Sequence, residues 1–145
     1  MEENKQSTVE RELLPTLTFS KNIQIRSSQL NGYGVFAVTN ISKGVTLEES
    51  PFVLSGIRTK DLVQQNVRKF LWPLPCNCDE CKYRGRVFAI SSGFIQLYNH
   101  SETPSVTVRF NTKTRLATIT TIKDIKKDEE ILINYGKNYN QFGDF

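Results

Sequence analysis

Three short stretches of this 145-residue chain carry side chains whose types and spacing suit chemistry. The first is Gly32-Tyr33-Gly34, followed by Val35-Phe36-Ala37. Two glycines around one residue permit backbone geometry that a Cβ would block, and they let a ligand come close to main-chain N–H and C=O groups. A tight hairpin asks for the same glycines, so the stretch alone does not decide between the two. It is not a dinucleotide fingerprint, because the third glycine is missing and no helix or βαβ unit follows. The second stretch is Tyr98-Asn99-His100-Ser101-Glu102-Thr103-Pro104. His100 is the only histidine, which sets aside zinc hydrolase chemistry, since that needs several imidazoles. A Ser/His or Cys/His nucleophile pair stays formally open, yet no serine or cysteine stands in a Gly-x-Ser-x-Gly turn. A lone histidine is more often a hydrogen-bonded structural residue. Asn99 offers a ligand both a donor and an acceptor. The third stretch, Glu129-Glu130-Ile131-Leu132-Ile133-Asn134-Tyr135-Gly136, ends a strand on a tyrosine before a glycine. That places a phenol at a turn facing a cleft. An ordinary half-buried tyrosine with its tip in water reads the same way.

The elements that must position these stretches read as many short strands and one helix. Ile23 and Ile25 alternate with polar neighbours, as in a half-buried strand. Asn31-Gly32 is a turn signal ahead of Val35-Phe36-Ala37-Val38. Ser42-Lys43-Gly44 is another turn, and Val45, Leu47 and Phe52 to Leu54 read as further strands. The spacing of Leu62, Val63, Val67 and Phe70 predicts a helix over 59–72, capped by Thr59 or Asp61 and stopped by Pro73 and Pro75. Val106, Val108 and Phe110 alternate with Thr107 and Arg109, and Asn111-Thr112-Lys113 reads as a hairpin-like turn. Leu116 to Ile122 is rich in β-branched residues, and Ile131 with Ile133 forms a last short strand. There is no internal repeat. The class is mainly β.

Composition narrows the field. A chain that is 38% hydrophobic and 23% charged can bury one core, and its length suits a single domain. Apolar runs such as Phe52-Val53-Leu54 are too short to span a bilayer, so no membrane partner is expected. The net charge of +4 is spread over Lys21, Arg26, Lys43, Arg58, Arg84, Arg86, Lys123, Lys126 and Lys127. A nucleic-acid footprint would be concentrated, so direct nucleic-acid binding is not expected. Met1 to Arg11 is polar and lacks the apolar core of a signal peptide, so an intracellular protein is expected. The three cysteines, Cys76, Cys78 and Cys81, form one odd-numbered cluster, which is not a disulfide framework. They make a candidate zinc claw, with Asp79, Glu80 or a residue of a second subunit as fourth ligand. Reduced cysteines in a surface loop are the other reading.

In this order and at these separations, the three stretches together resemble the SET-domain protein-lysine methyltransferases. Gly32-Tyr33-Gly34 resembles the family's first motif, Asn99-His100-Ser101 with Pro104 its Asn-His-Ser-x-x-Pro-Asn motif, and Glu129-Glu130 through Tyr135-Gly136 its closing Gly-Glu-Glu-Leu-x-x-x-Tyr-Gly motif. The likeness runs from about Ile23 to Tyr139. It is strongest to the minimal viral and bacterial members, and Gly93-Phe94 ahead of Tyr98 fits that compact group. The resemblance implies a fold of several small sheets with a C-terminal pseudoknot-like crossing and one short helical insert. Residues 1–20 would be an N-terminal arm, 21–136 the SET domain with its insert at about 59–87, and 137–145 a short closing segment.

It also implies S-adenosylmethionine-dependent methyl transfer to a lysine of a protein substrate, histones included. The cofactor would lie against Gly32, Tyr33, Gly34, Asn99, His100 and Tyr139, and Tyr135 would be the catalytic residue. The aromatic lining of the lysine channel would come from Tyr33, Phe70, Trp72, Phe94, Tyr98, Tyr135 and Tyr139. Short relatives imply a homodimer, residing in the cytoplasm, or in the host nucleus if viral. A SET fold that holds a peptide or the cofactor without turnover is the rival reading. Three departures stand out: Ser105 where the motif has asparagine, Asp128 where glycine is usual, and no cysteine after Tyr135 or at Glu102 to build the zinc-binding segment of many relatives.

Overall fold

Alternating apolar residues make strand β1 (Ile23–Ser27), and Gly32, at φ +48°, turns the chain back into β2 (Tyr33–Ala37). A computed structural model describes residues 16–56, 71–74 and 87–136, and the architecture is that of those residues. β1 and β2 pair antiparallel from Ser27↔Tyr33 to Ile23↔Ala37. The free edge of β2 takes β8 (Glu130–Ile131), with Val35 opposite Ile131 and Phe36 opposite Glu130. This three-stranded sheet therefore joins the first chemical stretch to the third. Asp128, just before β8, holds φ +69°. That left-handed conformation is what the family's usual glycine would supply, and aspartate is among the few residues that tolerate it. Its carboxylate also reaches Arg26 Nη2 at 3.3 Å.

The second sheet has five strands in the order β4-β5-β3-β7-β6. These are β3 (Thr46–Gly56), β4 (Trp72–Pro73), β5 (Val87–Ser91), β6 (Val106–Asn111) and β7 (Leu116–Thr121). The separate strands expected around Leu47 and Phe52 to Leu54 are one long strand. Its first half pairs with β7 as far as Pro51↔Leu116, and its second half pairs with β5 from Phe52↔Ser91 onward. Pro51 stands at the handover between the two partners, where a missing N–H costs the ladder least. The β6–β7 turn matches expectation: Asn111 Oδ1 accepts from the N–H groups of Lys113 and Thr114 at 3.0 and 3.1 Å.

One expectation needs correcting. The helix predicted over 59–72 lies mostly outside the described residues, but its last residue does not end a helix. Trp72 is in β4, opposite Ala89 of β5. Pro73 disfavours helical geometry in the residue before it, and the edge of β5 offers Trp72 a strand partner instead.

The class is mainly β, as expected, and among the described residues the one helical element is a short 3-10 turn at Ile95–Leu97. Between the sheets lie Val35, Leu47, Ile95, Tyr98, Ile119, Ile125, Ile131 and Ile133, each less than 2% exposed. Ile131 has no exposed surface and is the residue by which β8 meets both β2 and this core. Ile131→Ala should cost about 2–5 kcal/mol, the range for removing a buried branched side chain, as read by urea unfolding.

Candidate functional site

The third stretch reaches the second through its main chain. Ile133 N–H donates to Asn99 O at 3.0 Å, and Ser101 N–H donates to Ile133 O at 2.9 Å, which makes a parallel bridge between His100 and Ile133. The neighbouring residue bonds to the other limb of the same loop. Ser105 N–H donates to Leu132 O at 2.9 Å, and Leu132 N–H donates to Ser105 Oγ at 2.9 Å. Residues 132–133 are thus bonded to both limbs of the 99–105 loop, which is the crossing expected from the sequence. Ser105 holds one limb with its own hydroxyl, so asparagine is not needed there. In a parallel bridge of this sense, the N–H and C=O of His100 point away from Ile133.

The crossing delivers Tyr135. Its N–H donates to His100 Nδ1 at 3.1 Å. Nδ1 therefore carries no proton, and the imidazole donates through Nε2 to Glu102 Oε1 at 3.2 Å. His100 thus holds the Tyr135 backbone. The Tyr135 hydroxyl donates to Tyr98 O at 2.5 Å. Its ring lies 5.3 Å from that of His100 and takes the Trp72 ring edge-on at 5.6 Å and 85°. Trp72 is 9% exposed, and its Nε1–H has no hydrogen-bond partner among the described residues. Gly136 turns the chain immediately afterwards, at φ +95°, with its N–H on Asn134 Oδ1 at 2.7 Å.

Asn99 joins the first stretch to the other two. Only 8% exposed, it donates from Nδ2 to Glu130 Oε1 at 2.6 Å and approaches Asn31 O at 3.2 Å and Tyr33 O at 3.3 Å. Gly34 lies against this cluster. A Cβ there would overlap Glu130 Oε1 and stand 3.2 Å from Asn99 Nδ2.

Behind Tyr98 lies a carboxylate the sequence did not mark. Glu48, near the start of β3, is 1% exposed. It accepts from Phe94 N–H at 2.7 Å and from the hydroxyls of Ser50 and Tyr98. Gly93, at φ +109°, has no room for a Cβ beside Glu48 and Ser50. Burial pushes the Tyr98 phenol well above its ordinary value, and the adjacent Glu48 charge adds to the effect.

The other candidates are placed as follows. Tyr33 has its side chain 65% exposed while its carbonyl faces Asn99. Phe94 packs on Phe19 with ring centroids 5.0 Å apart. Tyr98 is wholly buried, and what it presents to Tyr135 is its carbonyl. Phe70, Tyr139 and the three cysteines lie outside the described residues. Among the described residues no group of three or more potential metal ligands occurs, and no helix is long and apolar enough to cross a membrane. A concavity on β6–β7, lined by Thr107, Arg109, Thr118 and Thr120, contains none of the three stretches. Glu48 and Glu130 are the residues sequence reasoning left without a role. Glu130 stood inside a recognised motif, whereas Glu48 carried no signal beyond being an acid in a strand.

The chain belongs to the SET-domain family, whose model matches residues 32–136 and so takes in all three stretches. Among solved structures, a Plasmodium falciparum protein provisionally described as a histone methyltransferase is 28% identical, with a TM-score of 0.60, covering 83% of this chain and 98% of that one. A humanized mutant of the Chaetomium thermophilum Polycomb Repressive Complex 2, bound to the inhibitor GSK126, is 26% identical with a TM-score of 0.58. That match covers 83% of this chain but 15% of the larger one. No curated protein matches the chain in sequence.

The buried phenol makes stability depend on alkaline pH. Tyr98 binds its proton more tightly in the folded state than in the unfolded chain, where it titrates at about 10. Its contribution is full below that pH and lost as the pH rises above it. Urea unfolding at a series of pH values should show stability falling above pH of about 10, and Tyr98→Phe should flatten that fall.

Proposed function

We propose that this chain is an S-adenosylmethionine-dependent protein-lysine N-methyltransferase. The observation that carries the proposal is the convergence of Gly34, Asn99 and Tyr135 on one place from three separate parts of the chain. Tyr135 donates to the carbonyl of residue 98, and the side chain of residue 99 meets Glu130 and the 31–33 turn. The described residues fit the cofactor. Gly34 keeps the turn free of a Cβ, and Asn99 Oδ1, an acceptor with no hydrogen-bond partner among the described residues, suits an ammonium group. Gly32, Tyr33, Gly34 and Asn99 would hold the amino-acid end, the main chain at His100 the adenine edge, and Tyr139 would close over it. When bound, S-adenosylmethionine supplies a methyl group on a positively charged sulfonium.

What the chain itself contributes is placement and exclusion of water. The Tyr135 hydroxyl donates a hydrogen bond to Tyr98 O, which fixes the position of its oxygen at the site. Trp72 and His100 both pack against that ring and restrict its position. A lysine amine must be neutral to attack, and its ordinary pKa is about 10.4. A channel beside Tyr135 that excludes water would disfavour the ammonium and lower that value. Aligning amine and methyl can be worth about 7–11 kcal/mol. No covalent intermediate with the protein is needed.

A histone lysine is the first substrate to test, since the Plasmodium neighbour carries that description. Likeness to the compact viral and bacterial members, an intracellular site, homodimerisation and zinc on Cys76, Cys78 and Cys81 belong to the same reading and rest on the sequence. The test is incubation with methyl-labelled cofactor, a histone panel and cell lysate. Label should reach lysine, and Tyr135→Phe should lower the rate about a hundredfold while S-adenosylhomocysteine still binds. Undiminished transfer in that variant would remove Tyr135 from the chemistry. Cofactor binding without transfer to any protein would leave the non-catalytic module as the function.

A further inference from the structure

The Glu130 carboxylate joins parts of the chain that are distant in sequence. Oε1 accepts from Asn99 Nδ2 at 2.6 Å, and Oε2 accepts from Ser28 Oγ at 2.9 Å. Asn99 Nδ2 faces two further oxygens, Asn31 O and Tyr33 O, at 3.2 and 3.3 Å. A carboxylate and two carbonyls can only accept. The amide nitrogen must therefore lie on that side, since a flipped carboxamide would press Oδ1 against three oxygens. With two N–H groups for three acceptors, Glu130 takes the shortest bond and the carbonyls share the other. Asn99 Oδ1 has no hydrogen-bond partner among the described residues, so it is left facing away from Glu130 as an acceptor of fixed direction.

We infer that Glu130 is a positioning residue: it locks the Asn99 carboxamide so that Oδ1 is aimed at the ammonium of the cofactor's amino-acid end. The inference rests on the methyltransferase reading for the identity of that ammonium, but the lock itself does not. Glu130 acts through Asn99. The 2.6 Å bond to a charged acceptor is the strongest of the three that hold the amide, and removing it leaves the side chain free to turn. Gly34 is part of the same device. A Cβ at that position would overlap Glu130 Oε1, and because the carboxylate ends a flexible side chain it would swing away, losing Asn99 without disrupting the backbone. On this account the glycine is needed by Glu130 itself.

The test compares two ligands by calorimetry: S-adenosylhomocysteine, which keeps the ammonium, and methylthioadenosine, which lacks the whole amino-acid end. Glu130→Ala should weaken the first by about tenfold or more and leave the second within about twofold. Glu130→Gln, which can still offer an oxygen to Nδ2, should recover most of the loss. Gly34→Ala should weaken S-adenosylhomocysteine as Glu130→Ala does, and the double variant should be little worse than either single one.

A second readout needs no cofactor. The Asn99 side-chain N–H pair should give two widely split proton resonances, and the splitting should narrow in Glu130→Ala. Equal weakening of both ligands, unchanged S-adenosylhomocysteine affinity or an unchanged splitting would overturn the role of Glu130. If the unaltered protein binds neither ligand, the methyltransferase reading fails, and the resonances alone decide whether Glu130 holds Asn99.

Discussion

Two main-chain hydrogen bonds, from Ile133 N–H to Asn99 O and from Ser101 N–H to Ile133 O, determine where Tyr135 can be. Tyr135 lies two residues beyond this bridge, and its own N–H is caught by His100. Little freedom is left in the segment that carries the ring. The bonds also carry weight in packing. Ile131 and Ile133 are both buried on the core side of the segment, so pulling it out of the loop would expose two branched side chains as well as break its hydrogen bonds. A surface tyrosine near a flexible end would pay side-chain and backbone entropy to be ordered at a reaction centre. Here the fold has already ordered it.

Residues 98 and 99 extend this constraint to both sheets. Successive residues of an extended chain face opposite ways. Tyr98 turns inward, where its phenol meets Glu48 of β3 in the five-stranded sheet. Asn99 turns outward, where its amide meets Glu130 of β8 in the three-stranded sheet. Two acids from different sheets thus grip adjacent residues, and the peptide between them supplies the carbonyl that receives the Tyr135 hydroxyl. A buried polar group left without a partner costs about 1–3 kcal/mol, so each contact favours this arrangement. This ties the relative placement of the sheets to the local geometry of the site. It is a reason for the candidate site to lie at the junction of two sheets rather than on one of them.

Trp72 shows how an edge element serves the same place. A two-residue strand can contribute little to stability by itself. Its value lies in setting an indole against the Tyr135 ring, with Phe110 on another side at 5.9 Å. The strand forms because Pro73 keeps its neighbour extended and because β5 has a free edge. Helical spacing in the preceding residues is a local signal and cannot register that edge.

What was legible in the sequence was whatever depends on neighbours along the chain. Gly32 marked a turn because only a few residues adopt its positive φ. Alternation of Val106, Val108 and Phe110 marked a strand because side chains alternate across a sheet. The three motif stretches, read together, were enough to place the chain in its family. Long-range pairing decided the rest. β3 became one strand because two different partners lie end to end along it, and Trp72 became extended because an edge was open. Glu48 and Glu130 look like ordinary surface acids in sequence. Only the folded chain, by burying one beside Tyr98 and bringing the other to Asn99 across Gly34, turned them into structural anchors, because a carboxylate's role depends on which donors reach it in space.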